Sequence, residues 1–203
     1  MNNIDQVYQK AKNVGEFAQG YFTYLKQVLD SISTEAIDQL VAEFEAARAT
    51  DNTLFVAGNG GSATTATSMA NDIGFDIIKK TGTDKPFRIL ALTDNTSVIT
   101  AISNDVGYDN IFVNQLKIHY RPGDKLLAIS ASGNSPNVVA AAEWVKQRGG
   151  RVIGFLGFTG GRLKDISDIV LHVKSEAGEY GPVEDAHLVL NHILAHWFQL
   201  KLR

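Results

Sequence analysis

Leu54-Phe55-Val56-Ala57-Gly58-Asn59-Gly60-Gly61-Ser62 is the stretch whose reading decides the fold. Four apolar residues give way to a glycine-rich loop, and a stretch of helical character follows. This is the grammar of a strand that turns directly into a helix. Similar short runs, rich in branched aliphatics and followed by polar or glycine-containing loops, stand at residues 88–92, 125–129, 151–155 and 169–173. Continuous rather than alternating apolar runs suit parallel strands covered on both faces. Five of them with helices between predict an α/β domain: a doubly wound, five-stranded parallel sheet of flavodoxin-like class.

Working outward, residues 4–49 read as two helices that form an N-terminal extension. Val7, Ala11, Val14, Phe17, Ala18, Tyr21, Leu25 and Val28 recur at three- and four-residue steps, an amphipathic stripe. Ser33 or Thr34 caps a second stripe of Ile37, Leu40, Val41, Phe44 and Ala47. The first helix is read as packing on another subunit, since a sheet starting at Thr53 can close without it. Residues 184–202 are apolar around most of the helix and predict a buried or interface helix. With no repeat or linker, one domain over 1–203 is expected, divided into an extension (1–50) and an α/β core (51–203).

Composition removes several function classes. A formal charge of −3 offers no global attraction to nucleic acid or anionic membrane. The absence of cysteine removes disulfides, thiolate nucleophiles and cysteine-based metal sites. The first residues lack a basic segment followed by an apolar run, and no stretch has the length of a membrane span. A cytoplasmic protein is the expectation.

Ligands of open α/β sheets collect beyond the carboxyl ends of the strands. The Gly58–Ser62 loop there lets a ligand approach the backbone in front of a helix N-terminus. Taken alone it is equally a tight turn, and it is neither a Walker A loop nor a dinucleotide fingerprint. The second loop, Ser130-Ala131-Ser132-Gly133-Asn134-Ser135-Pro136, follows the third run. Pro136 suits the first position of a helix and Ser135 its N-cap. Capping needs one hydroxyl, and this loop has three without a basic residue. Ser130, Ser132 and Ser135 therefore read as a phosphate cradle of hydroxyl donors.

These two loops, with Ile102-Ser103-Asn104-Asp105-Val106-Gly107-Tyr108 and Gly157-Phe158-Thr159-Gly160-Gly161, resemble the sugar isomerase (SIS) domain. Within it they are most similar to the phosphoheptose isomerase branch, and the resemblance runs along nearly the whole chain. It implies an aldose–ketose isomerase, acting on sedoheptulose 7-phosphate to give D-glycero-D-manno-heptose 7-phosphate through an enediol. It assigns substrate phosphate to Ser130, Ser132 and Ser135, and places Asn59, Gly60 and Ser62 in the same site. Asp94 matches an aspartate near the sugar hydroxyls, although a loop aspartate capping the next helix explains it equally. His192 matches a catalytic histidine. The resemblance also implies a homotetramer with a site between subunits, and no redox cofactor or nucleotide. The alternatives are a non-catalytic SIS binding module, of the kind that associates with a replication initiator, and an isomerase of another sugar phosphate.

The chain departs from the family's pattern at the carboxylates. The His-x-x-x-Glu of the first-loop helix is Ser68-Met69-Ala70-Asn71-Asp72 here, and the glutamine before the last helix is Glu184. Asp72 is one methylene short, about 1.5 Å, and errors of about 1 Å can cost on the order of a hundredfold in rate. Either Glu184 compensates as base, with Asp72 in support, or the changes mark another substrate. Zinc, held by some members at the positions of Ser68, Asp72, Glu184 and His192, is left open, because serine is a poor zinc ligand. The bland reading is preferred for the remaining histidines. His187 and His196 read as packing or interface residues, and His119 and His172 as structural ones. Residues 178–182 read equally as a flexible closing loop or a plain turn.

Overall fold

In the computed structural model, which describes residues 1–203, the five strands are β1 (Thr53–Ala57), β2 (Arg88–Ala91), β3 (Lys125–Ser130), β4 (Arg151–Leu156) and β5 (Ile169–His172). They form one sheet in the order β2-β1-β3-β4-β5, and every pairing is parallel. This is the doubly wound flavodoxin-like order, whose switch point lies between β1 and β3. The register Leu54↔Lys125 to Ala57↔Ala128 makes β1 and β3 direct neighbours, with β3 running two residues past the end of β1. The glycine loop and the serine loop therefore leave the sheet side by side.

The expected pair of N-terminal helices is three: α1 (Asn3–Lys10), α2 (Val14–Asp30) and α3 (Thr34–Ala49). The first apolar stripe continues across the break, which is why periodicity reads it as one helix. The break is made by caps. Ala11 is extended and ends α1, and the Asn13 side chain accepts from the Glu16 N–H to start α2, while at its other end α1 is opened by a capping box of Asn2 with Asp5. Ser33 caps α3.

After β1 the chain forms α4 (Gly61–Met69), a six-residue π-helical segment (Ala70–Phe75) and α5 (Asp76–Thr81). Beyond β2 come α6 (Thr96–Val106), a 3-10 turn (Tyr108–Asn110) and α7 (Ile111–His119), and β3 is followed by α8 (Pro136–Lys146). The last two helices are α9 (Gly161–Ile166) and α10 (Tyr180–Lys201). One face of the sheet is covered by α3, α4, the π segment, α5 and α10 through Leu40, Phe44, Met69, Ile73, Ile77, Leu194 and Phe198. The other is covered chiefly by α7, α8 and α9 through Phe112, Leu116, Val138, Val145 and Leu163. With both faces covered, β3 is buried at every residue. Its first residue, Lys125, pairs with Glu43 at 2.6 Å, and Arg151 meets the other Glu43 oxygen at 2.6 Å. Burial alone would raise the Glu43 pKa, but the two cations hold it below the ordinary carboxylate value.

The start of α10 is tied to the N-terminal helices. Glu179, buried, accepts from the Tyr24 hydroxyl, from the Asn3 N–H at 2.6 Å and from the Glu176 N–H at 2.9 Å. Residues 180–182, read above as part of a loop, form the first turn of α10, and this knot anchors the segment. His172 accounts for itself structurally: its Nε2 lies 2.9 Å from the Phe158 carbonyl. No helix is long and apolar enough to cross a membrane.

Candidate active site

At the end of β3, the Ser135 backbone occupies the N-cap of α8 with Pro136 at N1, but its hydroxyl makes no capping bond. Instead it lies 3.0 Å from the Ser130 hydroxyl, which is 3.4 Å from that of Ser132. The three hydroxyls are thus pooled in front of a helix N-terminus, where the dipole favours an anion. Backbone N–H groups of Gly133 and Asn134 donate to Ser130 and Ser132 and fix the loop's shape. Gly133 adopts φ +67°, and a Cβ there would overlap the Gly160 carbonyl. The Gly157–Gly161 motif backs this loop: the Leu163 N–H donates to the Gly133 carbonyl and the Arg162 N–H to the Asn134 side chain, both at 2.9 Å.

The glycine loop stands beside it. Asn59 and Asn137, on α8, form a reciprocal amide pair with both bonds at 2.9 Å. Gly60 is exposed at the turn, while Ser62 is buried against Gly58. Gly61, the first residue of α4, leaves the space that the Glu184 carboxylate fills, and a Cβ there would collide with it. Glu184 is half-buried; burial and the neighbouring Asp185 charge both raise its pKa. Asp185 in turn accepts from the Tyr21 hydroxyl of α2 at 2.5 Å. Burial and this carboxylate raise the Tyr21 pKa.

Farther along, α4 and the π segment run beside α10. Asp72 lies on the π segment; such bulges often occur at functional sites. One Asp72 oxygen accepts from Asn191 Nδ2 at 2.6 Å and lies 3.8 Å from His192 Nε2. The other accepts from Asn71 at 2.9 Å. Asp94 is exposed and does not cap the following helix; Asn95 does that, accepting from the Val98 N–H. Asp94 instead accepts from Thr67 on α4 at 2.6 Å.

The sequence-derived residues thus fall along a strip at the carboxyl edge of the sheet. Ser130, Ser132, Ser135, Asn59, Gly60 and Glu184 stand at the switch point, while Asp72 with His192, and Asp94 with Thr67, lie on the α4 side. Glu184 and His192 are eight residues apart on one helix, about 12 Å along its axis. The motif reading missed Thr67, Asn137 and Asn191. Asn191 was detectable as an amide immediately before His192 on the last helix. His187 is a core residue, fully buried and 5.6 Å from the Phe155 ring. His119 and His196 are exposed.

The four positions that the resemblance associates with zinc do not assemble a metal site in this chain. Asp72 and His192 meet, but no group of three or more His, Asp or Glu converges in a metal-binding arrangement. Ser68 replaces a nitrogen ligand, and Glu184 lies against Gly61.

Comparison with known proteins agrees with this architecture. The SIS domain family matches residues 20–157. The chain is 39% identical over 137 residues to the phosphoheptose isomerase of Rhodospirillum rubrum, covering 68% of this chain and 70% of that one. It is 34% identical over 171 residues to that of Aneurinibacillus thermoaerophilus, covering 84% and 79%. The solved phosphoheptose isomerase of Neisseria gonorrhoeae superposes with a TM-score of 0.80 at 30% identity, over 92% of this chain and 98% of the other. By sequence, topology and the arrangement of its loops, the chain belongs to the SIS domain family, in its phosphoheptose isomerase branch.

Proposed function

We propose that the protein interconverts sedoheptulose 7-phosphate and an aldoheptose 7-phosphate. The observation that carries this reading is the Ser135 hydroxyl. It sits at a cap position yet is turned away from capping, to join Ser130 and Ser132 in an uncharged anion cradle. A sugar anchored there by its phosphate would extend its carbon skeleton toward Glu184 at the glycine loop and toward Asp72 and Asp94 on the α4 side.

In this reaction a base removes a proton from C1 while the C2 carbonyl oxygen is protonated, giving an enediol. The O1 proton is then lost and the carbon proton is returned at C2. Glu184 is the base: a half-buried carboxylate with a raised pKa holds a proton more readily than a solvated one. His192 with Asp72, which accepts from Asn191, is assigned the proton transfer between the oxygens in a site that the resemblance places between subunits, since within one chain the pair lies well along α10 from Glu184. Asp94 and Thr67 face the sugar hydroxyls. No redox cofactor is required, and no step passes through a metal. The reading includes a cytoplasmic location and a homotetramer, whose subunit contacts would cover the exposed Phe22, Ile193, Trp197 and Leu200 on α2 and α10.

The test is NMR of the purified protein with sedoheptulose 7-phosphate in deuterated water. Deuterium at the carbon beside the carbonyl, together with an aldose product, is expected, and Glu184→Gln should abolish both. Perturbation of the phosphorus signal without exchange would overturn the enzyme and favour a sugar-phosphate-binding module.

A further inference from the structure

The Ile102–Tyr108 motif takes no part in the reaction described above, yet the structure brings its last residue to the ligand loop. The Tyr108 hydroxyl lies 2.9 Å from Asn59 Oδ1, across 49 residues of sequence. Asn137, 1% exposed, closes the amide pair with Asn59 from the opposite side. We propose that Tyr108 and Asn137 are positioning residues that lock the Asn59 amide so that it faces the ligand with a single N–H donor. This deepens the sugar-phosphate reading and rests on it.

The orientation follows from donor and acceptor valence. Asn137 Oδ1 lies 2.9 Å from the Val138 N–H. A backbone N–H only donates, so an oxygen must stand there; a flipped amide would set two N–H groups against each other. With that oxygen fixed, the bond it receives from Asn59 must come from Asn59 Nδ2, and Asn137 Nδ2 must donate to Asn59 Oδ1. Tyr108 then has to donate to the same Asn59 oxygen, which fills both its lone pairs. One Asn59 N–H remains. The loop's side-chain amide can therefore bind an acceptor, such as a phosphate or sugar oxygen, and cannot accept from a hydroxyl.

Half of the Tyr108 surface is exposed, so Tyr108→Phe removes the hydroxyl with little effect on packing. For an enzyme turning over sedoheptulose 7-phosphate, we expect KM to rise about five- to tenfold, the range of one lost hydrogen bond, with kcat and melting temperature nearly unchanged. In an Asn59→Ala background the same substitution should have no further effect, because the two residues act as one unit. An unchanged KM, or an effect that persists undiminished without Asn59, would overturn the proposal. A second readout needs no ligand: the Asn59 side-chain amide resonances, identified by their loss in Asn59→Ala. They should shift and exchange faster with solvent in Tyr108→Phe. If the wild-type protein converts no sugar phosphate, the functional reading fails and these resonances still decide the network; unmoved resonances would refute it.

Discussion

His187 offers a sharp test of how α10 packs on the sheet. Its ring is fully buried, and neither nitrogen has a hydrogen-bond partner of normal geometry, the Leu156 backbone facing it only loosely. Burial disfavours the charged ring and lowers its pKa from 6.5 to about 4. Above 6.5 the ring is neutral whether the chain is folded or unfolded, so it contributes no pH dependence. Between 6.5 and about 4 the unfolded chain binds a proton that the folded chain refuses, so stability is lost as the pH falls through this window. At about 1.4 kcal/mol per pH unit, that window removes about 3 kcal/mol. The perturbation is His187→Leu, close in size and without a titrating group. Denaturant unfolding at fixed protein concentration, from about pH 7 to about pH 4, should show the wild type losing about 3 kcal/mol more than the variant. At neutral pH the variant should equal or exceed the wild type, since it removes two unpaired buried polar atoms. A difference between the two proteins that stays flat across the window would refute the reasoning.

Three further outcomes follow from the geometry. Ser135→Ala should weaken sugar-phosphate binding about fivefold or more while leaving the melting temperature within about 2 °C, because the hydroxyl does not cap α8; calorimetric titration and thermal melting read the two separately. Glu43→Ala should lower the melting temperature by about 10 °C, since it strands Lys125 as a buried charge at a cost of roughly 3–5 kcal/mol. Gly133→Ala should abolish ligand binding, by imposing a side chain at φ +67° against the Gly160 carbonyl, and phosphorus NMR titration would register the loss.

The sheet was legible because each strand is a short apolar run closed by a loop, and a parallel order allows few alternatives. The N-terminal helix count was not, because α1 packs back on α2 and one periodicity spans both. The break lay in the extended Ala11 and the capping Asn13, whose roles depend on backbone conformation rather than on hydrophobic pattern. The two ligand loops were readable from an excess: three hydroxyls where a cap needs one. The Asp72 position was only half readable. Counting from Ser68 presumed a regular helix, whereas a π turn begins at Ala70 and changes the direction in which that carboxylate projects. Thr67, Asn137 and Asn191 escaped because their value comes from partners on other elements.

The charge arrangement is itself an argument about substrate orientation. The cradle at α8 holds hydroxyls and N–H groups and no carboxylate, whereas Asp72, Asp94 and Glu184 are all supplied by other elements. A phosphate dianion placed among those carboxylates would be repelled, and at the cradle it meets donors and the positive end of a helix. A neutral sugar chain has the opposite preference, because its hydroxyls donate readily to carboxylates. In the proposed reaction the phosphate group therefore serves as a directional anchor, fixing which end of the sugar reaches Glu184. A ligand lacking the phosphate should lose that alignment as well as affinity. Its kcat should fall along with its KM rising, the pattern expected when remote binding energy positions the reacting carbons.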